Sequence, residues 1–240
     1  MFELFRKKKQ LDMDSMENGV RVITVSDPRS VNTEQFNTIR TNIKFSNIDK
    51  EYKSLVLTSS TASEGKSTVA ANVAVSFARQ GLKTLLVDAD MRRPTINATF
   101  DIGSPKGLTT FLTDKSMNVN DIIYETSVKG LYVMPSGPIP PNPSELISSK
   151  RMENLIEALG AQLDLVIYDA PPVLAVTDGQ LLASKVDGTI LVVRANKAEK
   201  EGVRQAVQLL DHVNAKVIGT ILNDVEDVKD GYYGYYGYYK

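Results

Sequence analysis

The stretch "SLVLTSSTASEGKSTVAANVAVSFARQG" (Ser54 to Gly81) constrains this chain more than any other. Its apolar run from Ser54 to Ser60 is short and bounded by a serine- and threonine-rich turn, which predicts a strand buried on both faces. Val69, Val73 and Phe77 then recur at the spacing of one helical face, and Gly81 supplies the stop. Between strand and helix sits Gly65-Lys66-Ser67. In that context backbone N–H groups from Ala62, Ser63, Glu64, Gly65, Lys66, Ser67 and Thr68 gather at a helix N-terminus, where the dipole favours an anion. Lys66 can bridge the β- and γ-phosphates of a nucleotide, and the Ser67 hydroxyl can ligate Mg²⁺. One departure stands out: the phosphate-loop pattern places a glycine five residues before Gly65, and here that residue is Ser60.

The rest of the chain repeats the alternation. "KTLLVDAD", "LYVMPSG", "LDLVIYDAPP", "GTILVVRA" and "KVIGTILN" read as further buried strands. Helices are predicted from an N-cap at Thr33 through Ile43, over about 144–160, and over 198–213. In the last of these Val203, Ala206, Val207, Leu210 and Val213 point inward. Short apolar strands alternating with amphipathic helices predict an α/β fold of the P-loop NTPase type: a mostly parallel central sheet with helices on both faces. The expected organisation is a flexible segment over 1–30, one domain over 31–228, and a disordered tail over 229–240.

Two further motifs belong with the phosphate loop. In "LLVDADMRRP", Asp88 and Asp90 lie two apart at the end of a strand, so their side chains share a face. Ligands of parallel sheets sit at that end. Two carboxylates beside a triphosphate repel it unless Mg²⁺ lies between or one acts as a base; Arg92 and Arg93 follow and can offset phosphate charge. In "LVIYDAPP", Asp169 ends another strand, as a Walker B aspartate does. Arg194 and Asn223 close the fifth and sixth strands, within reach of a base at the sheet edge or serving as loop caps.

Totals exclude several other chemistries. With no cysteine there is no disulfide framework, thiolate metal site or cysteine nucleophile, and a lone histidine (His212) excludes a histidine-rich zinc site. A formal net charge of −1 means that the molecule as a whole is not built as a polyanion binder, so any affinity for nucleic acid or membrane must be local, and no nucleic-acid partner is expected. No apolar run suits a membrane span, and "MFELFRKKKQ" lacks the apolar core of a secretory signal. The basic cluster Phe5 to Lys9 reads as a solvated terminus or a weak contact with anionic lipid.

The chain ends "DGYYGYYGYYK". Of its ten tyrosines, six fall here: Tyr232, Tyr233, Tyr235, Tyr236, Tyr238 and Tyr239. Glycine spacing suits a segment outside any core. Extended from Asp230 to Lys240, it spans roughly 33–40 Å.

Together these pieces resemble the bacterial protein-tyrosine kinases of the capsular and exopolysaccharide biosynthesis family, within the wider group of partitioning and cell-division ATPases. The resemblance rests on the phosphate loop, "LLVDADMRRP", "LVIYDAPP", "GPIPPNPSELI" and the tyrosine tail, and covers nearly everything after the first thirty residues. The partitioning relatives carry a second lysine five residues before the main one; here that position is Thr61. The resemblance implies autophosphorylation with ATP and Mg²⁺, the γ-phosphate passing between subunits to the six tail tyrosines. It implies Lys66, Asp88 and Asp90 as catalytic residues and Ser67, Asp90 and Asp169 around the metal. Asp88 is then the base, with the two Walker-like aspartates exchangeable in role. A homo-oligomeric ring built on a Glu-x-x-Arg-x-x-Arg helix is implied too; Glu34 and Arg40 occupy the outer positions and Asn37 the middle one. The implied partners are the cytoplasmic tail of a membrane adaptor for polysaccharide export and a phosphotyrosine phosphatase, which places the chain in the cytoplasm at the inner face of the membrane. The alternative is an ATPase switch of the same fold without kinase activity.

Overall fold

The computed structural model describes residues 11–47 and 51–225. The tyrosine tail and the Phe5–Lys9 cluster lie outside the described residues.

In chain order the elements are α1 (Leu11–Asn18), α2 (Ile23–Ser26), α3 (Val31–Phe45), β1 (Ser54–Ser59), α4 (Lys66–Ala78), β2 (Thr84–Asp88), α5 (Ile96–Thr99), α6 (Leu108–Thr113), a 3-10 turn (Val119–Ile122), β3 (Tyr124–Glu125), β4 (Leu131–Met134), α7 (Pro143–Ser148), α8 (Lys150–Gln162), β5 (Leu165–Asp169), α9 (Asp178–Ala183), β6 (Gly188–Arg194), α10 (Lys200–His212) and β7 (Val217–Asn223). One seven-stranded sheet runs β3-β4-β2-β5-β1-β6-β7. All neighbours are parallel except the β3–β4 pair.

Side chains alternate along each strand, so each face of the sheet has its own core. Val56, Val87 and Tyr168 pack with Met152, Leu159 and Leu210 on one face. Leu55, Leu57, Leu86 and Ile167 pack with Val69, Val73 and Phe77 of α4 on the other. Helix α4 is buried from Val69 through Ala78, because it lies between the sheet and α3. Its end agrees with the sequence: Gly81 takes φ +90° and its amide donates to the Ala78 carbonyl at 2.9 Å.

Several expectations are corrected. The cap of α3 is Ser30, whose hydroxyl accepts from the Thr33 amide at 3.2 Å, while Thr33 is buried inside the first turn. The helix expected over 144–160 is two, broken at Ser149, which takes an extended ψ of 149° and caps α8 through the Met152 amide. Val207 faces solvent; α10 turns Ala206 and Leu210 inward. The antiparallel β3 was not foreseen, since two residues carry no periodicity.

The flexible lead expected over 1–30 also needs correction for its described part. Asn72, fully buried in α4, accepts from both the amide and hydroxyl of Thr24 at 2.9 Å and donates to the carbonyls of Arg21 and Thr68. The Val20 amide donates to Thr99 Oγ1 at 3.0 Å. Gly19, at φ +73°, lies so close to the Thr99 backbone that a Cβ there would sit 2.6 Å from it. Polar side chains, which a hydrophobic pattern does not register, fasten this segment.

Candidate active site

The carboxyl ends of β1, β5 and β2 lie side by side and deliver three loops to one place. Leu57 pairs with Asp169, and Asp169 pairs with Asp88, across adjacent parallel strands. The cavity above them is lined by Ala62, Ser63, Gly65, Lys66, Ser67, Thr68, Asp90, Arg93, Thr95, Pro172, Arg194 and Asn223. The sequence-derived residues therefore converge, with one distinction: Asp90 reaches the cavity wall, whereas Asp88 and Asp169 are buried behind it.

The phosphate loop turns through two left-handed residues, Ser63 (φ 62°) and Gly65 (φ 89°), immediately before α4. Gly65 is required twice: its conformation disfavours a side chain, and a Cβ would lie 2.1 Å from Asn223 Nδ2. Glu64, expected only as part of the amide cradle, turns out to be the loop's internal brace. Its carboxylate is fully buried; one oxygen accepts from Ser60 Oγ, the Thr61 amide (2.6 Å) and Thr61 Oγ1 (2.9 Å), the other from the Arg194 amide (3.2 Å). Ser60 thus replaces the pattern's glycine with a donor to that brace.

Arg194 and Asn223 flank the cavity and hold the loop as well. Asn223 Nδ2 donates to the Glu64 carbonyl at 3.0 Å. Arg194 pairs with Asp224 and donates to the Ser63 carbonyl. Lys197, which the sequence reading missed, donates to the Ala62 and Ser63 carbonyls at 3.0 and 3.1 Å. A lysine on an exposed turn carries no local signal of such a contact.

The charges concentrate below the loop. Lys66 Nζ lies 2.7 Å from Asp90 Oδ2, 3.3 Å from Asp169 Oδ1 and 3.2 Å from Ser67 Oγ. Burial alone would lower the Lys66 pKa, but Asp169 and Asp90 outweigh it and hold the ammonium above its ordinary value. Burial raises Asp169, against the opposing pull of Lys66 and Ser67. Asp88 is pushed up to about 8, first by burial and then by the Asp169 charge, although the Thr95 and Ile96 amides donate to its Oδ2 at 2.8 and 2.9 Å. Asp90 Oδ1 accepts from the Arg92 and Arg93 amides at 3.3 and 3.1 Å.

The donor set suits a hard divalent cation, which takes hydroxyl and carboxylate oxygens. Ser67 Oγ, Asp90 and Asp169 adjoin one another, and two buried carboxylate oxygens, Asp169 Oδ2 and Asp88 Oδ1, have no hydrogen-bond partner. No preassembled cluster of three acidic or histidine ligands forms among the described residues, and the Lys66 ammonium stands between Asp90 and Asp169.

Glu34 and Arg40 lie away from this site on α3. The Arg40 guanidinium turns onto its own chain, donating to Ser76 Oγ (2.7 Å), the Ser76 carbonyl (3.1 Å) and Asn37 Oδ1 (2.8 Å), while Asn37 donates to Glu34 Oε1 at 3.2 Å.

Comparison with known proteins extends this geometry. Residues 53–223 match the AAA domain family. Tyrosine-protein kinase YwqD of Bacillus subtilis (strain 168) is 46% identical over 202 residues, covering 84% of this chain and 85% of that one. Among solved structures, the chimerical protein CapA2B2 superposes with a TM-score of 0.80 at 38% identity, over 89% of this chain and 98% of that one. The kinase domain of Escherichia coli tyrosine kinase ETK gives a TM-score of 0.83 at 31% identity, over 99% and 92%. A phosphate loop braced by Glu64, opposed strand-end aspartates and likeness across four-fifths of the sequence lead to one conclusion: the chain belongs to the bacterial tyrosine-protein kinase family.

Proposed function

We propose that this chain transfers the γ-phosphate of ATP to tyrosine hydroxyls, its own tail among them. The observation that carries this reading is the meeting of Lys66, Ser67 and Asp90 at one cavity beside a phosphate cradle, with buried Asp169 against Lys66. A Mg²⁺ ion held by Ser67 and Asp169 would neutralise charge on the phosphates. The residues of the chain do the rest. The amides from Ala62 to Thr68 hold the phosphates, and Lys66 spans the β- and γ-groups. The tyrosine oxygen forms a bond to the γ-phosphorus as the bond from that phosphorus to the β–γ bridging oxygen breaks, and ADP keeps the electron pair.

The tyrosine proton passes to a carboxylate, because a free phenol has a pKa of about 10. Asp90 suits this role better than the expected Asp88. It lines the cavity, whereas Asp88 is buried behind the cavity wall. Asp88 then anchors the turn that carries Asp90, through the Thr95 and Ile96 amides.

Tyr232, Tyr233, Tyr235, Tyr236, Tyr238 and Tyr239 are the proposed acceptors, reached between subunits of a homo-oligomer. The proposed setting is polysaccharide export at the inner face of the membrane, through the cytoplasmic tail of a membrane adaptor and opposed by a phosphotyrosine phosphatase. No helix among the described residues is long and apolar enough to cross a membrane. Incubation with ATP–Mg²⁺ and blotting for phosphotyrosine tests the reading. Signal lost both in Lys66→Met and in a chain cut at Asp230 supports it. ATP hydrolysis with no phosphotyrosine, with and without an adaptor tail, supports an ATPase switch instead.

A further inference from the structure

Asp178 opens α9 and is 1% exposed. A carboxylate is buried at this depth only when it is paired and hydrogen-bonded. Its partners come from two other loops. The Arg92 guanidinium grips it as a fork, Nε to Oδ2 at 2.8 Å and NH2 to Oδ1 at 3.3 Å. Ser144 of α7, just beyond the proline-rich segment, donates its hydroxyl to Oδ1. The Arg92 side chain is 41% exposed, so Asp178 fixes an arginine whose remaining surface is open.

Arg92 belongs to the turn that carries Asp90. Its own amide, with that of Arg93, donates to Asp90 Oδ1, and Asp90 Oδ2 holds Lys66 at 2.7 Å. A continuous line therefore runs from Asp178 through Arg92 and the Asp90 turn to Lys66. The phosphate loop is braced separately, by Glu64, Asn223 and the Arg194–Lys197 turn. The loop backbone and the Asp90 turn thus have separate supports that meet at the Lys66–Asp90 ion pair.

We propose that Asp178 is a positioning residue for phosphoryl transfer: by clamping Arg92 it sets the turn that aims Asp90, without bracing the backbone of the phosphate loop. A bidentate arginine–carboxylate pair fixes orientation as well as distance. Loss of the clamp lets the Asp90 turn drift, and a misplacement of about 1 Å is enough to cost roughly a hundred-fold in rate. This inference rests on the kinase reading above.

The test is a double-mutant cycle in the full chain: Asp178→Asn, which keeps the side-chain volume and an acceptor for Ser144, Arg92→Gln, and the pair. Initial phosphotyrosine formation at saturating ATP–Mg²⁺, the affinity for a fluorescent ATP analogue and the melting temperature are measured for each. Expected are a rate loss of about ten- to a hundred-fold in each single variant, ATP affinity within about three-fold of wild type, and a double variant no slower than the worse single. Arg92→Lys, which keeps the charge and loses the fork, should fall between wild type and Arg92→Gln. Wild-type rates in the folded single variants, or losses that multiply in the double, overturn the proposal. Should Asp178→Asn fail to fold, Arg92→Gln and Arg92→Lys decide alone, since their site is partly exposed: unchanged rates in both overturn it. A wild-type chain that hydrolyses ATP without labelling tyrosine overturns the kinase reading instead, and the same cycle read on hydrolysis then judges Asp178.

Discussion

Asp88 and Asp169 stand opposite each other in register at the carboxyl ends of β2 and β5, both buried, with one lysine between Asp169 and Asp90 to balance them. This pairing makes the nucleotide-free chain sensitive to pH. Asp88 is raised from an ordinary 3.8 to about 8, and Asp169 shifts in the same direction. Below about pH 4 the Asp88 carboxyl is protonated in folded and unfolded chains alike. Between about 4 and 8 only the folded chain keeps the proton, so stability falls as pH rises, by at most ~1.4 kcal/mol per unit from this group. Melting temperatures from pH 5.5 to 8.5 should decline. Asp88→Asn, which still accepts from the Thr95 and Ile96 amides, should flatten the decline. An equally steep curve in the variant would show that Asp88 is not its source.

Gly65 and Asn223 make a second pair with a measurable consequence. Gly65→Ala places a methyl 2.1 Å from Asn223 Nδ2 at φ +89°. The left-handed conformation alone costs about 1–2 kcal/mol for a residue with a Cβ. The clash should displace Asn223 from the Glu64 carbonyl and weaken binding of a fluorescent ATP analogue by about ten-fold or more, one to two hydrogen bonds' worth. Combining Gly65→Ala with Asn223→Ala removes the clash but not the backbone strain. The double variant should therefore regain stability relative to Gly65→Ala without regaining wild-type affinity. Equal stability of the two would exclude the clash as the cause.

Where the sequence was legible, a physical reason made it so. Strands buried on both faces must be apolar throughout, so β1, β2, β5 and β6 read as runs, and a run ending in aspartate marks the ligand edge of a parallel sheet. Asp88, Asp90 and Asp169 are expected at the site on that ground, and Lys66 and Ser67 on the strand–turn–helix context of the phosphate loop. Turn side chains were not legible, because their direction is set by what packs over them. Glu64 reads as one more polar loop residue yet points inward to four donors. Asp178 looks like an ordinary helix-opening acid, and only the fold brings Arg92 to it from 86 residues away. Asn72 sits in an apolar helical stripe, and its partner Thr24 lies in a stretch expected to be flexible.

Arg40 separates intrachain support from assembly. Its guanidinium donates to Ser76 and Asn37 of the same chain, so truncation removes hydrogen bonds that join α3 to α4. Arg40→Ala should lower unfolding free energy by about 1–3 kcal/mol, the range for bonds from a charged donor. The loss should be the same in dilute and concentrated samples, as followed by urea denaturation. A loss that grows with protein concentration would instead assign Arg40 to a contact between copies.

Lys66→Met should separate binding from balance. The ammonium lies within salt-bridge reach of both Asp90 and Asp169. Without it, tyrosine phosphorylation should fall below detection, because the proposed bridge to the β- and γ-phosphates is lost. The same substitution leaves buried carboxylates unpaired, a loss of about 3–5 kcal/mol when they are ionised. Protonation relieves that penalty, so the destabilisation should be large at pH 8 and shrink toward pH 5.5. Mg²⁺ without nucleotide should recover part of the stability at pH 8, since a divalent ion can share the vacated carboxylates. Urea unfolding at both pH values, with and without Mg²⁺, reads all three effects. A destabilisation independent of pH would mean that Lys66 contributes packing rather than charge to the folded chain.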